Sequence, residues 1–209
     1  MARALPYLKE TASQTAGPFL HIGMYPSAAG LRLRTQEKPN VMAAASAAGE
    51  HIRIEGRIFD GAGTPVRDAQ VEIWQANAHG RYDHPADTQD KPSDKGLRGW
   101  GRAVCDLESG LFWFETVKPG RVPGRHGQRM MAPHVNVWIV ARGINIGLNT
   151  RMYFEDEQEA NAEDPVLALI EPPERRRTLM AVREERAGQV VYRFEIHLQG
   201  DDETVFLDV

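Results

Sequence analysis

The sequence predicts an all-β protein, an antiparallel β-sandwich with an extended N-terminal arm and one or two short helices. Three observations carry that expectation. Short runs of period-2 alternation recur from His51 to the C-terminus, separated by turns rich in Gly and Pro. A nearly continuous apolar run, His134 to Ala141, suits a strand covered on both faces. Only Asp156 to Ala162 reads as a clear helix, ended by Asp164-Pro165. Several short strands with one minor helix pack as two sheets face to face.

Residues 1–50 read as an arm that packs on a partner subunit. Thr11 to Pro18 is polar and turn-rich, and Pro39 to Gly49 is rich in Ala and Ser with little periodicity. The sandwich domain is placed at 51–209. Ile52, Ile54 and Ile58 alternate with Arg53, Glu55 and Arg57, the mark of a half-buried strand. Asp60 to Pro65 is a turn, and Gln70 to Gln75 is a second strand with Val71 and Ile73 opposite Glu72 and Trp74. Ala76 to Gly101 forms a long loop that carries His79, Tyr82 and His84. Loops of that length in compact domains serve function or an interface. Leu111 to Val117 returns to strand until Lys118-Pro-Gly120 breaks it. Met152 to Phe154 continues the sheet, and a short turn of helix is expected after Pro165 through Ile170. Val190 to Leu198 and Thr204 to Asp208 close the chain as strands.

Composition narrows the function. The chain has 209 residues, 42% of them hydrophobic, enough to bury a core without cross-links. A single cysteine, Cys105, excludes an intramolecular disulfide and any Cys-based zinc or iron–sulfur site, and reads as a small buried hydrophobe. A net charge of −4 with mixed signs argues against a nucleic-acid binder. No stretch approaches the roughly 20 apolar residues of a membrane span. The opening Met1 to Pro6 has no apolar run behind it, as a signal peptide would. The expected protein is soluble and cytoplasmic, with neither nucleic acid nor membrane as partner.

Motifs for phosphate loops, serine elbows and zinc-protease helices are missing. Gly143 to Gly147 is a turn, and Arg175-Arg176-Arg177 reads as a solvated or ion-paired stretch. Among the scattered histidines, only His134-Val-Asn136 sets a histidine and a second polar side chain on one strand face. Asn is a poor ligand for a transition metal. Taken alone, His134 reads as a hydrogen-bonded core histidine before it reads as a ligand, and Tyr82 as a loop tyrosine.

A set of short segments changes that reading. Ser13-Gln-Thr-Ala-Gly-Pro18, Glu72-Ile-Trp-Gln-Ala76, Gly80-Arg-Tyr82, Lys118-Pro-Gly120, Ala132-Pro-His134, Ala141-Arg-Gly-Ile-Asn145, Tyr153-Phe-Glu-Asp156 and Gln199-Gly200 with Glu203-Thr-Val-Phe206 run from arm to last strand. In this order they resemble the α chains of the protocatechuate 3,4-dioxygenases, within the intradiol ring-cleaving dioxygenases. The resemblance implies a β-sandwich that pairs with a homologous catalytic β chain and assembles further as (αβ)n. It also implies an activity. A catechol such as protocatechuate is opened by O2 between its hydroxyl-bearing carbons, giving 3-carboxy-cis,cis-muconate.

By the same resemblance, the β chain binds Fe(III) with two tyrosinates and two histidines. Tyr82 and His134 match one of each. Val122 stands in the region where the second tyrosine is expected, Asn136 replaces the second histidine, and Met131 stands where the β chain has an arginine. The site in this chain is therefore expected to be vestigial and iron-free, with Fe(III) held by the partner. The implied contribution of this chain is a wall of the partner's pocket, made of Thr15, Gly17, Pro18, Phe19 and Arg142. Gly17 lets backbone approach a flat ring, and Arg142 brings a permanent charge with a planar donor fork to an anionic substrate. Phe19 departs from the usual tyrosine, which leaves the ring substituent open. Two other readings stand beside this one, a self-sufficient catechol dioxygenase homodimer and a non-enzymatic transthyretin-like binding module.

Overall fold

The computed structural model describes residues 9, 11–31, 38–124 and 129–208. Its strands are β1 (His51–Gly56), β2 (Ile58–Phe59), β3 (Gln70–Gln75), β4 (Trp100–Val104), β5 (Phe112–Val117), β6 (Val122–Pro123), β7 (Met130–Met131), β8 (His134–Val140), β9 (Leu148–Phe154), β10 (Met180–Arg186), β11 (Gln189–Arg193) and β12 (Ile196–His197). The α-helices are α1 (Leu20–Met24) and α2 (Gln158–Glu163). Eight strands join in the order β4-β3-β8-β9-β10-β11-β1-β5. This ribbon folds over at β10, whose Met180 and Ala181 pair with β9 while Val182 to Arg186 pair with β11.

The fold-over makes two layers with one core between them. Val71, Ile73, Val135, Val137, Ile139 and Met152 come from one layer, and Ile52, Ile54, Phe112, Phe114 and Tyr192 from the other. Each set occupies alternate positions of its strand, so the period-2 pattern points all of them inward. The all-β sandwich read from the sequence is thus the fold, with one amendment. Two pairings, β1 with β11 and β9 with β10, are parallel, so the sheet is mixed. A parallel neighbour needs a long return path, which residues 155–179 supply through α2 and two 3-10 turns.

Other elements depart from the pattern. β4 falls at the end of the segment expected as loop. β10 was not expected, because five of its seven residues, Val182 to Arg186, lie outside the core and four of those are charged. Its partner is reached through a tight turn in which Ala187 (φ 50°) and Gly188 (φ 79°) are both left-handed. The expected strand Val190 to Leu198 is split in two, because Phe194 and Glu195 carry the chain from β1 to β2 as partner. Thr204 to Asp208 is extended but joins no ladder, since it bonds to separate elements. The Thr204 amide donates to His197 and that of Leu207 to Asn149. The run 134–140 is covered fully on its inner face only; on its outer face Trp138 is exposed.

The segment before β1 is not uniform. From Asn40 it lies on the sandwich: Met42 and Ala47 are buried, and the Met42 amide donates to Glu115. Part of the expected arm therefore packs on its own domain. Residues 11–31 carry α1 and a 3-10 turn and remain largely at the surface. Cys105 is buried, and burial pushes its thiol up to about 12. Arg175 and Arg177 lie near Glu203 and Asp202, as an ion-paired stretch. No helix among the described residues is long and apolar enough to cross a membrane.

Gly56 ends β1 at the level where the closing strand passes from β1 to β2 as partner. A Cβ there would lie 1.8 Å from the Phe194 carbonyl oxygen, a backbone atom that cannot swing aside. Gly56→Ala should therefore cost about 1–3 kcal/mol, read as a fall in Tm of roughly 2–4 °C for each kcal/mol. An unchanged Tm would show that the two strands part freely.

Candidate functional site

The residues singled out by sequence fall into two places. The first is the outer face of the first layer. Antiparallel register sets Trp74 of β3, Asn136 of β8 and Arg151 of β9 in one row, with His134 beside Tyr153. Because their inward neighbours fill the core, these side chains must point away from it.

Two loops then close over the row. Gly80, at φ 76°, lets the loop after β3 pass so near the Lys118-Pro-Gly segment that a Cβ would lie 1.9 Å from the Arg121 carbonyl oxygen. This crossing seats Tyr82 on the face. Its ring stacks on Trp74, with centroids 5.9 Å apart and planes 2° off parallel. In the β6–β7 ladder Val122 pairs with Met131, whose sulfur meets the Arg151 guanidinium.

His134 is buried, and its Nδ1 lies 2.7 Å from the Ala132 carbonyl oxygen. Its Nε2 is buried with no partner. Burial first, and the Arg151 charge second, lower its pKa to about 4, so the imidazole is neutral at pH 7 with Nδ1 as donor. Tyr82 is raised above the ordinary phenol value by burial, with Asn136 and Arg151 opposing the shift, so it keeps its proton at pH 7. Asn136 Oδ1 accepts from Arg151 Nε at 3.1 Å, and its Nδ2 donates to the Trp74 carbonyl at 3.3 Å. The Arg151 guanidinium also reaches Met131 Sδ at 3.3 Å and the Tyr153 hydroxyl at 3.5 Å. Asp164, buried behind, accepts from the Ala132, Val166 and Leu167 amides and from the Tyr153 hydroxyl.

This donor set does not fit a ferric ion. Such an ion takes hard anionic oxygen donors, whereas the pocket offers one phenol, one imidazole, an amide and a guanidinium. Among the described residues, no group of three or more His, Cys, Asp or Glu side chains is placed to hold a metal ion. His79 and His84 do not join the set. His84 lies edge-on to Trp74, and its Nδ1 accepts from the Ala86 amide.

His134 has a consequence for stability. Its folded pKa lies below the unfolded value of about 6.5, so the unfolded chain binds the extra proton. Stability is intact above pH 6.5 and falls as pH drops toward 4, by about 2 kcal/mol at pH 5 from this residue. Urea unfolding at pH 7 and pH 5 checks this, since His134→Gln should flatten that part of the slope. A slope unchanged by the substitution would assign the acid sensitivity elsewhere.

The second place is a surface turn. Between β8 and β9 the chain reverses through Ala141 to Gly147, with Gly143 at φ 89°. The Gly143 amide donates to Thr15 Oγ1 at 2.7 Å, which ties the arm to this turn. Arg142 stands next to that bond with its side chain 63% exposed and pairs with Asp68 at 3.2 Å. Phe19 is 72% exposed, and Gly17 has open space where a Cβ would be. Thr15 and Arg142 are therefore brought together, while Gly17, Pro18 and Phe19 line no closed pocket within this chain.

Arg151, Tyr153 and Asp164 escaped the sequence reading. For the first two a signal existed: strands pairing across the Ala141–Gly147 turn place Arg151 opposite Asn136 and Tyr153 opposite His134.

Comparison with known proteins bears on the family and the fold. The family described as "Dioxygenase" matches residues 28–200. The chain is 48% identical over 201 residues to the protocatechuate 3,4-dioxygenase alpha chain of Pseudomonas putida, covering 96% of this chain and 97% of that one. To the protocatechuate 3,4-dioxygenase beta chain of Burkholderia cepacia it is 37% identical over 162 residues, covering 75% and 67%. In three dimensions it resembles the crystal structure of 3-chlorocatechol 1,2-dioxygenase from Rhodococcus opacus, with TM-score 0.58 and 21% identity. That match covers 92% of this chain and 69% of the other.

Proposed function

The chain belongs to the dioxygenase family, on its intradiol ring-cleaving branch, and on that premise we propose that it is the iron-free α subunit of a heteromeric Fe(III) enzyme. Its partner is a homologous catalytic β chain, and the pairs associate further as (αβ)n. The substrate is protocatechuate or a similarly anionic catechol, opened with O2 to 3-carboxy-cis,cis-muconate. Fe(III) belongs to the β chain and supplies the activation of catechol and oxygen there.

The observation that carries this reading is the pocket beside His134. Val122 and Asn136 stand where the resemblance calls for anionic and imidazole ligands, which leaves one phenol and one imidazole of the expected four. A self-sufficient homodimer would need those ligands. The similarity to α chains over nearly the whole length favours an enzyme subunit over a non-enzymatic module.

What this chain adds is binding and orientation. The Thr15–Gly143 bond holds the arm beside Arg142, so one surface presents a cation, the Gly17-Pro18 backbone and the Phe19 ring. Arg142 offers paired N–H donors to a substrate carboxylate, and the ring of Phe19 excludes water from the aromatic edge. An exposed aromatic and an exposed arginine also suit a subunit interface, where both residue types are enriched.

Elemental analysis tests the assignment of iron. The chain purified alone should contain none and be colourless, whereas co-expression with a homologue bearing both tyrosines and the His-x-His pair should give one iron per pair and a visible tyrosinate-to-iron band. Stoichiometric iron in the isolated chain would overturn the proposal.

A further inference from the structure

We infer that Arg151 is a built-in cation that takes the place of a metal ion in the vestigial pocket and closes that pocket to metals. The inference rests on the reading that iron belongs to the partner chain, and it assigns a cause within this chain.

The guanidinium bonds to the side chains at two of the positions that depart from the ligand-bearing pattern, Asn136 and Met131. Register fixes the place: Arg151 lies directly across from Asn136 on the neighbouring strand and shares its face. Among the described residues, no carboxylate lies within 4 Å of the guanidinium to neutralise it. Asn136 Oδ1, Met131 Sδ and the Tyr153 hydroxyl receive it instead, all uncharged acceptors. A half-buried cation with no carboxylate in direct contact repels a second cation, and Asp164 reaches it only through the shared Tyr153 hydroxyl.

Arg151 also explains why Asn stands at 136. The amide accepts the Arg151 Nε–H through Oδ1 and donates to Trp74 through Nδ2, so both ends are used. An imidazole there would set a basic ring against the guanidinium. The missing ligands and the arginine are thus one coupled change, and restoring ligands without removing Arg151 should fail.

The αβ pair carries the test. Val122→Tyr with Asn136→His, and the same two changes with Arg151→Gln, are loaded with ferrous iron and oxidised in air. With Arg151 retained, iron per pair should stay at the wild-type level. With Arg151→Gln it should double, with a matching rise in the tyrosinate-to-iron band. Extra iron in the variant that keeps Arg151 overturns the inference, as does an absence of extra iron once Arg151 is removed. Neither result touches the assignment of iron to the partner, which only iron in the unsubstituted chain would defeat. A second measurement needs no metal. Asn136→His should lower the Tm of the pair in the Arg151 background and markedly less in the Arg151→Gln background; additive shifts would overturn the coupling.

Discussion

Arg142→Ala is expected to lower kcat/KM for an anionic catechol by roughly ten- to a hundred-fold, the worth of one charge-assisted hydrogen bond of about 1.5–3 kcal/mol. Fold and assembly should stay intact, because the side chain is mostly solvent-exposed and its one ion pair, with Asp68, is of the kind that contributes little at a surface. Iron content of the pair should likewise hold. A residue that served only the interface would lose assembly and iron together, so the split between turnover and iron occupancy separates the two roles. Phe19→Tyr extends the same test. Adding a hydroxyl to a ring that is now exposed supplies a donor on the same surface, so preference among catechols should shift with the ring substituent. Steady-state kinetics with protocatechuate and a bulkier anionic catechol measure both variants. Unchanged kinetics in both would reduce this surface to scaffold.

Asp164→Ala should be among the most destabilising single changes in the chain, at about 3–5 kcal/mol. The carboxylate is 1% exposed and accepts three backbone amides and the Tyr153 hydroxyl. Alanine leaves all four donors buried without that partner, and each costs its full desolvation. Asp164 also anchors Ala132, whose carbonyl holds His134, so the loss spreads to the pocket. Asp164→Asn keeps one acceptor oxygen and the shape, and should cost less. Urea titration of both variants gives the comparison, with midpoint shifts at constant slope marking true stability changes. Equal midpoints for the Ala and Asn variants would mean that neither the shape nor a single retained oxygen contributes, and that only the full carboxylate serves.

Much of the architecture was legible because it follows from local alternation. In β1, β3 and β8 every second residue is apolar, and a strand can bury such a set on one face alone. The turn at Gly143, the broken strand after Val117 and the buried Cys105 followed from equally local chemistry. Where burial did not alternate, the pattern fell silent. β10 has Ala181 as its only buried residue; ladders on both sides hold the strand in place, and those are long-range facts. The strand over 190–198 broke for a related reason. Its alternation runs unbroken through Phe194, but the partner changes there, and no single-strand pattern records a partner.

The site divides along the same line. Sequence by itself determined the residue types available. At the four positions that the resemblance singles out stand one tyrosine, one histidine, an asparagine and a valine, a poor set for a ferric ion. The sequence also placed Arg142 at a strand end just before a turn, and Thr15 in a polar arm. Only the tertiary structure decided that Thr15 bonds across to that turn, and that Arg151 stands in the pocket as its resident charge. The physical reason is register. Which residues face one another depends on how two strands align and on which loops cross above them, and these are settled by burial of the whole core.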